Sequence, residues 1–227
     1  MLAPVNFPNQ IRPLALSAPG ISPAIPQEIC YGVPSCAPLV QHELLKAVRH
    51  QMPAIYVRAA QELGLTVSHT QEMVDRRVEI ISAARAIKLA RIIAFEPNAR
   101  DVFGEAGHNL FDEMNRNFAR PLKATIRNLP HALRIRLALA WTRKAAYGFA
   151  GSVNQILAEH HRQVVAVSVR NGVFSDRLDT LGGAHEYYRR VFEAIFRELA
   201  HLDCEVKEIR RPRVYLNQCN YEIVWEA

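Results

Sequence analysis

Trp141-Thr-Arg-Lys-Ala-Ala-Tyr-Gly-Phe-Ala-Gly-Ser152, Gln163-Val-Val-Ala-Val-Ser-Val-Arg170 and Gly183-Ala-His-Glu-Tyr-Tyr-Arg-Arg-Val-Phe-Glu-Ala-Ile-Phe-Arg-Glu-Leu199 are the segments whose reading decides the fold. The first reads as an apolar helix ending at Trp141, with Gly148 and Gly151 punctuating the turn out of it, because glycine takes backbone angles other residues avoid. The second is dense in β-branched side chains, which suit a strand, and Asn171-Gly172 closes it as a turn would. The third carries Tyr187, Tyr188, Val191, Phe192, Ile195, Phe196 and Leu199 at helical spacing, so one aromatic-rich face must be buried.

Outward from this unit the periodicity divides the chain. After Gly151 the pattern alternates and predicts strands at 153–159, 163–170, 204–209 and 221–225, with the pair His160-His161 in an exposed strand turn. Short connections favour antiparallel pairing. Before it the pattern is helical. Leu44, Leu45 and Val48 share a face up to Pro53, a second short helix stops at Gly64, and Thr70 is placed as the cap of the next element. Val78, Ile81, Ala84, Ile87 and Ala90 keep helical spacing to Pro97. A further helix over about 98–118 buries Val102, Phe103, Ala106, Leu110, Phe111, Met114 and Phe118. Gly104 and Gly107 inside it each cost about 1 kcal/mol against alanine and point to a close neighbouring backbone or a bulky ligand. Pro121 and Pro130 start two more helical pieces, the second being the Ala-Leu-rich run from His131 to Tyr147. The fold class is therefore α+β: a helical N-terminal half packed with an antiparallel sheet of about four strands. Residues 1–38 hold eight of the thirteen prolines and read as an extended arm, leaving 39–227 as a single domain.

Composition narrows the function. No apolar run is long enough to span a membrane, and the first residues lack the pattern of a secretion signal. Cys30, Cys36, Cys204 and Cys219 follow no zinc-ribbon or Cys-x-x-Cys spacing, which fits reduced thiols in a cytoplasmic protein. The net charge of +6 is concentrated: between Glu113 and Glu159 there is no acidic residue, while Arg116, Arg120, Lys123, Arg127, Arg134, Arg136, Arg143 and Lys144 are all cationic. Such a field attracts anions, a carboxylate-bearing ligand among them, or is simply a solvated helical face. Nucleic acid is disfavoured, since no recognised module is visible and the aromatics read as buried.

Short motifs in a fixed order carry a resemblance over residues 70–225. They are Glu72-Met-Val-Asp75, Phe103-Gly-Glu-Ala-Gly107, Ala119-Arg-Pro121, Leu129-Pro130, Ala140-Trp141 with Phe149-Ala-Gly-Ser152, Glu186-Tyr-Tyr188, Val191-Phe-Glu193 with Ile195-Phe196, and Cys219-Asn-Tyr-Glu-Ile223. Together they resemble the bacteriochlorophyll 4-vinyl reductase family, whose domain is related in fold to TRAPP-type subunits and to heme-based nitric-oxide sensor domains. The resemblance implies a hydrophobic cavity, a chlorophyll-precursor ligand such as a magnesium tetrapyrrole or protochlorophyllide, and enzymes of bacteriochlorophyll synthesis as partners. A homodimer and peripheral contact with a membrane are further expectations. Relatives carry a cysteine pair contributing to a zinc site. Cys219 fits the second cysteine, but the earlier position is Arg211 followed by Pro212, so structural zinc is not expected.

Autonomous redox chemistry is not expected either. No Gly-x-Gly-x-x-Gly follows a strand, no cysteine cluster suits an iron–sulfur centre, and no flavin fingerprint is visible. A carrier or accessory role in 8-vinyl reduction fits better; the alternative is a sensor of small hydrophobic molecules unconnected with pigments. For tetrapyrrole binding, Phe103, Phe111, Trp141, Tyr147 and Phe149 are the candidate walls, although aromatics at helical spacing are equally core material. Arg134, Arg136, Arg143 and Lys144 are placed to meet a carboxylate, and His108 and His131 are the candidate magnesium ligands.

Overall fold

The structure, a computed structural model, describes residues 35–76, 81–116, 125–150, 156–161, 163–170, 172–174, 183–209 and 218–225, without the side chains of 35, 144–150, 156–161, 170 and 218. The chain divides into Met1–Tyr31 and Gly32–Ala227, and all described residues belong to the second unit. Most of the arm expected over 1–38 lies outside the described residues, as do Cys30, Arg120, Lys123 and Arg211-Pro212.

Helices dominate the first half. Strand β1 (Ser35–Cys36) precedes α1 (Pro38–Gln51), α2 (Pro53–Leu63) and α3 (Val67–Asp75). Proline opens both α1 and α2, where its missing N–H costs nothing. Gly64 ends α2 at φ +59°, the left-handed conformation that glycine takes without strain. The cap of α3 is Thr66, whose Oγ1 accepts the amide of His69; the expected cap, Thr70, sits inside the helix. Strand β2 (Ile81–Ser82) pairs with β1 in a two-stranded ribbon, so Ile81 belongs to a strand and the helical pattern begins at Ala84. Helix α4 (Ala84–Ala94) is followed by α5 (Ala99–Arg116) and α6 (His131–Ala150). Trp141 does not end α6. The helix continues through Gly148 to Ala150, in a segment whose alanines favour helix enough to carry one glycine.

The second half contains the sheet. Strands β3 (Ile156–His161), β4 (Val164–Arg170), β5 (Cys204–Glu208) and β6 (Gln218–Trp225) form an antiparallel sheet in the order β3-β4-β6-β5. The first strand starts three residues later than expected, and the last starts three earlier. His160 and His161 are paired inside β3, opposite Val165 and Val164, rather than in a turn. Register places Val165 opposite Ile223, Val167 opposite Tyr221 and Val169 opposite Cys219, and all six are buried. Alternation thus gives the sheet one apolar face.

Helix α7 (His185–Ala194), extended by a π-helical turn at Ile195–Leu199, covers that face. Its stripe of Tyr187, Tyr188, Val191, Phe192, Ile195, Phe196 and Leu199 is buried throughout. Phe192 meets Tyr221 edge-on at 5.3 Å between centroids, and Phe196 stacks on Trp225 at 6.2 Å. On its other side α7 packs against α5. Phe174 fills the junction, with centroids 5.6 Å from Phe103 and 4.8 Å from Tyr187, and its amide donates to the Tyr188 hydroxyl at 3.1 Å. Each such fully buried side chain is worth about 1.5–3 kcal/mol of transfer free energy.

Candidate functional site

The seam of α5 and α7 is closed by absence of side-chain bulk. A Cβ on Gly107 would lie 2.3 Å from the Tyr187 carbonyl oxygen, so the two backbones approach too closely for any other residue. One helical turn earlier, at Gly104, the atoms nearest an added Cβ are side-chain atoms of Glu186 and Arg190 at 3.4–3.6 Å rather than backbone. Here lies a cleft of about 610 Å³ lined by Arg100, Asp101, Gly104, Glu105 and His108 of α5 and by Glu186, Arg189 and Arg190 of α7, so acidic and basic groups share its walls. Its size suits a drug-sized ligand, and its lining is far more polar than that of an ordinary small-molecule site.

Glu186 organises the charges. It sits in the first turn of α7 with its side chain 3 % exposed, where the helix dipole favours an anion. Arg189 Nε donates to its Oε1 at 2.7 Å; Arg190 Nε lies 3.3 Å from the same oxygen; Arg100 Nε reaches Oε2 at 3.3 Å from α5. Burial alone would push the Glu186 carboxyl up, but the bond from Arg189 and the charges of Arg189, Arg100 and Arg190 outweigh it and hold it below the usual range. Glu193 continues the lattice two turns on, accepting from Arg189, Arg190 and Arg197. Arg100 engages Glu186 through Nε and is 66 % exposed, which leaves its guanidinium accessible to solvent at the cleft. A buried carboxylate thus orients the guanidinium groups that an anion would meet there.

The residues singled out from the sequence fall in different places. His108 is exposed on α5, at the rim of this cleft, with Asp112 Oδ2 3.7 Å from Nε2 and Glu198 Oε1 3.5 Å from Nδ1. Phe111 and Trp141 are buried in the core. His131 is exposed at the first position of α6, its ring 6.2 Å from Trp225. Arg134 is half-buried and serves the end of the π-helical turn: its Nη1 donates to the carbonyl of His201 at 2.7 Å, where φ is +51°. Arg136 and Arg143 are exposed. Tyr147, Phe149 and Lys144 lie on α6, but their side chains are outside the described residues. Arg100, Glu186, Arg189 and Arg190 were not anticipated. The i, i+3 and i, i+4 spacing of Glu186 with the two arginines was their only signal.

Thiols and histidines limit the other chemistry. Burial pushes the Cys36 thiol up to about 12 and Cys204 to about 11, so neither is a nucleophile at neutral pH. Cys219 points into the core face of the sheet. Among the described histidines only His42 is buried. Its Nδ1 is 2.7 Å from Thr70 Oγ1, and that hydroxyl also lies 3.0 Å from the Val67 carbonyl. The hydroxyl donates to the carbonyl and accepts from Nδ1–H. Burial, with the Lys46 charge, lowers the His42 pKa to about 4, so the ring is neutral.

No family model matches the sequence, and no curated protein matches it. The resemblance to the 4-vinyl reductase family therefore has no support from these comparisons. Solved structures do match in fold. A point mutant of the T. tengcongensis H-NOX protein aligns with TM-score 0.52 at 9% identity, covering 83% of this chain and 96% of that one. An H-NOX structure probing heme distortion aligns with TM-score 0.52 at 8% identity, covering 83% and 94%. A mutant H-NOX protein from K. algicida, in its Fe(II) unliganded form, aligns with TM-score 0.50 at 8% identity, covering 84% and 97%. The chain has an H-NOX-like α+β fold.

Heme, the group such neighbours suggest, is a poor match to the described histidines. Neither of the two best-formed clefts reaches His42, and its Nε2 faces the Glu43 carboxylate at 3.8 Å. His50, His69, His108, His131 and His201 are exposed, and His185 lies against Glu208 at 3.7 Å. Of these only His108 lines a described cleft, and that cleft has no apolar wall to enclose a heme; the side chains of His160 and His161 lie outside the described ones.

Proposed function

We propose that this chain is a small-molecule-binding sensory domain, and that its ligand is a carboxylate-bearing tetrapyrrole held through its carboxylates by Arg100 and Arg190 at the α5–α7 cleft. The observation that carries the reading is the cleft itself, where guanidinium groups from two helices converge on a buried carboxylate. The H-NOX-like fold supports the sensor class, and with it the alternative drawn from the sequence, over a role in pigment synthesis. The same fold family supplies the tetrapyrrole as ligand class. The protein's contribution is to orient the acid groups. The cleft is lined by charged and polar side chains and glycine, so charged hydrogen bonds rather than ring burial supply the affinity, less the cost of association.

Fluorescence titration with protoporphyrin IX tests this, since that molecule carries the acid groups without a metal. The expected result is 1:1 binding at micromolar concentration, weakened about tenfold by Arg100→Ala and again by Arg190→Ala, on the scale of a charged hydrogen bond. Absence of saturable binding, or affinity indifferent to both substitutions, contradicts the reading. Magnesium protoporphyrin binding while the free porphyrin does not would return the protein to pigment synthesis.

A further inference from the structure

Beside the cleft, three side chains of different kinds converge at the outer edge of the α5–α7 seam, and we propose that His108, Asp112 and Glu198 form a binding site for a divalent first-row transition ion. His108 also lines the cleft, but the ion is tested by itself, so failure of this site and failure of the ligand assigned above are distinguishable.

His108 and Asp112 are four residues apart on α5, the spacing that stacks two side chains on one helix face. Glu198 arrives from the other side of the seam, in the π-helical turn that follows α7. An α-helix widened by one residue per turn re-aims the side chains beyond it, and such turns recur at functional sites. The coordinating atoms of all three residues lie within 4.8 Å of one another.

The separations favour an ion over hydrogen bonding. His108 Nδ1 to Glu198 Oε1 is 3.5 Å and Nε2 to Asp112 Oδ2 is 3.7 Å, both beyond ordinary hydrogen-bond length. The two carboxylates address different ring nitrogens, so an ion on one nitrogen requires the carboxylate on the other side to turn toward it; ligands held about 2.1 Å from a tetrahedral ion stand about 3.4 Å from each other, against separations of up to 4.8 Å here. One ring nitrogen can serve the ion, and a modest turn of the Asp112 or Glu198 side chain brings both oxygens to it. All three side chains are about half exposed, which leaves them room to adjust and leaves the remaining coordination positions to water. Two carboxylates and an imidazole form a mixed O/N set. The imidazole selects Zn²⁺, Co²⁺ or Ni²⁺ over Mg²⁺ and Ca²⁺, which prefer oxygen alone. With ligands on both helical elements, the bound ion clamps α5 to the turn after α7.

Isothermal titration of untagged, chelator-treated full-length chain with Zn²⁺ tests the site, with Co²⁺ as the spectroscopic probe. The expected result is one ion per chain at micromolar Kd, a tetrahedral Co²⁺ absorption band, and a Tm raised by about 5 °C at an ion concentration about 100 times Kd. His108→Gln and Glu198→Gln each weaken binding by at least about tenfold, on the scale of losing one ligand or its orientation. His50→Gln and His185→Gln, on other surfaces, leave it unchanged. Because the three ligands are exposed, the variants fold, and their circular dichroism verifies it. Absence of binding up to millimolar Zn²⁺ overturns the proposal, as does affinity unaltered in both His108→Gln and Glu198→Gln.

Discussion

Replacing Gly107 by alanine should destabilise the protein, while the same change at Gly104, three residues earlier on α5, should not. At Gly107 the new Cβ would lie 2.3 Å from the Tyr187 carbonyl oxygen, 3.1 Å from its carbonyl carbon and 3.2 Å from its Cα. All three are main-chain atoms of α7, so no rotamer change relieves the contact. The helices must separate by about 1 Å, loosening the packing of Phe103, Phe174 and Tyr187 beneath them. Overpacking of this kind costs about 1–3 kcal/mol or more, against about 1 kcal/mol returned by helix propensity. A net loss of about 2 kcal/mol lowers Tm by about 6 °C for a chain of this size. At Gly104 the nearest atoms are Glu186 Cγ at 3.4 Å and Arg190 Cγ at 3.5 Å, both on side chains and at ordinary contact distance. Propensity then decides the sign, and Gly104→Ala gives about 0.5–1 kcal/mol of added stability. Urea unfolding followed by far-UV circular dichroism measures both. A Gly107→Ala variant as stable as the parent would refute the close approach of α5 and α7.

Three further outcomes follow from buried charge and capping. His42 has a folded pKa near 4 against an ordinary 6.5, so its contribution is complete above pH 6.5 and is lost as pH falls toward 4. Between pH 7 and 5 this costs about 2 kcal/mol, and His42→Asn should flatten that part of the stability profile. Glu43, pushed up by burial, acts in the opposite sense, losing stability as pH rises through its folded pKa, so parent and variant must be compared at each pH. Glu186→Gln leaves Arg100, Arg189 and Arg190 without their shared counter-charge; with two of the three arginines about half exposed or more, unfolding should show a loss of about 2 kcal/mol at pH 7 that shrinks below pH 4. Arg134→Ala removes the donor to the His201 carbonyl and should cost about 1–2 kcal/mol, with faster amide exchange confined to residues around 199–203.

What the sequence revealed depended on how local the determining physics was. The stripe of α7 and the alternation of β4 were legible because burial on one face imposes a period of 3.6 or 2 on neighbouring residues. Gly107 was legible as a mark of either a close neighbouring backbone or a bulky ligand, and the Tyr187 carbonyl shows the first to hold there. The ribbon of Ser35–Cys36 with Ile81–Ser82 was not, because two-residue strands carry no period. Thr66 and Thr70 were equally good caps by chemistry, and tertiary contact decided between them by giving Thr70 to His42. The helix α6 was read from His131 to Tyr147 and stopped short of Ala150 because a single glycine at position 148 was weighed above the alanines around it. The cleft itself was hidden. Arg100 and Glu186 stand 86 residues apart, and only the packing of α5 on α7 unites them. The aromatic and cationic residues favoured from the sequence had signals as strong, yet Phe111 and Trp141 went to the core and Arg134 to a helix end.

The central claim is that carboxylates, through Arg100 and Arg190, anchor the ligand rather than a histidine through iron. The ratio of Kd values for protoporphyrin IX and hemin, measured on the same preparation, tests it most directly. The account predicts values within about threefold of each other, because both molecules present the same acid groups to the same two arginines. Hemin binding more than about a hundredfold tighter, with the absorption spectrum of histidine-ligated iron, would contradict it.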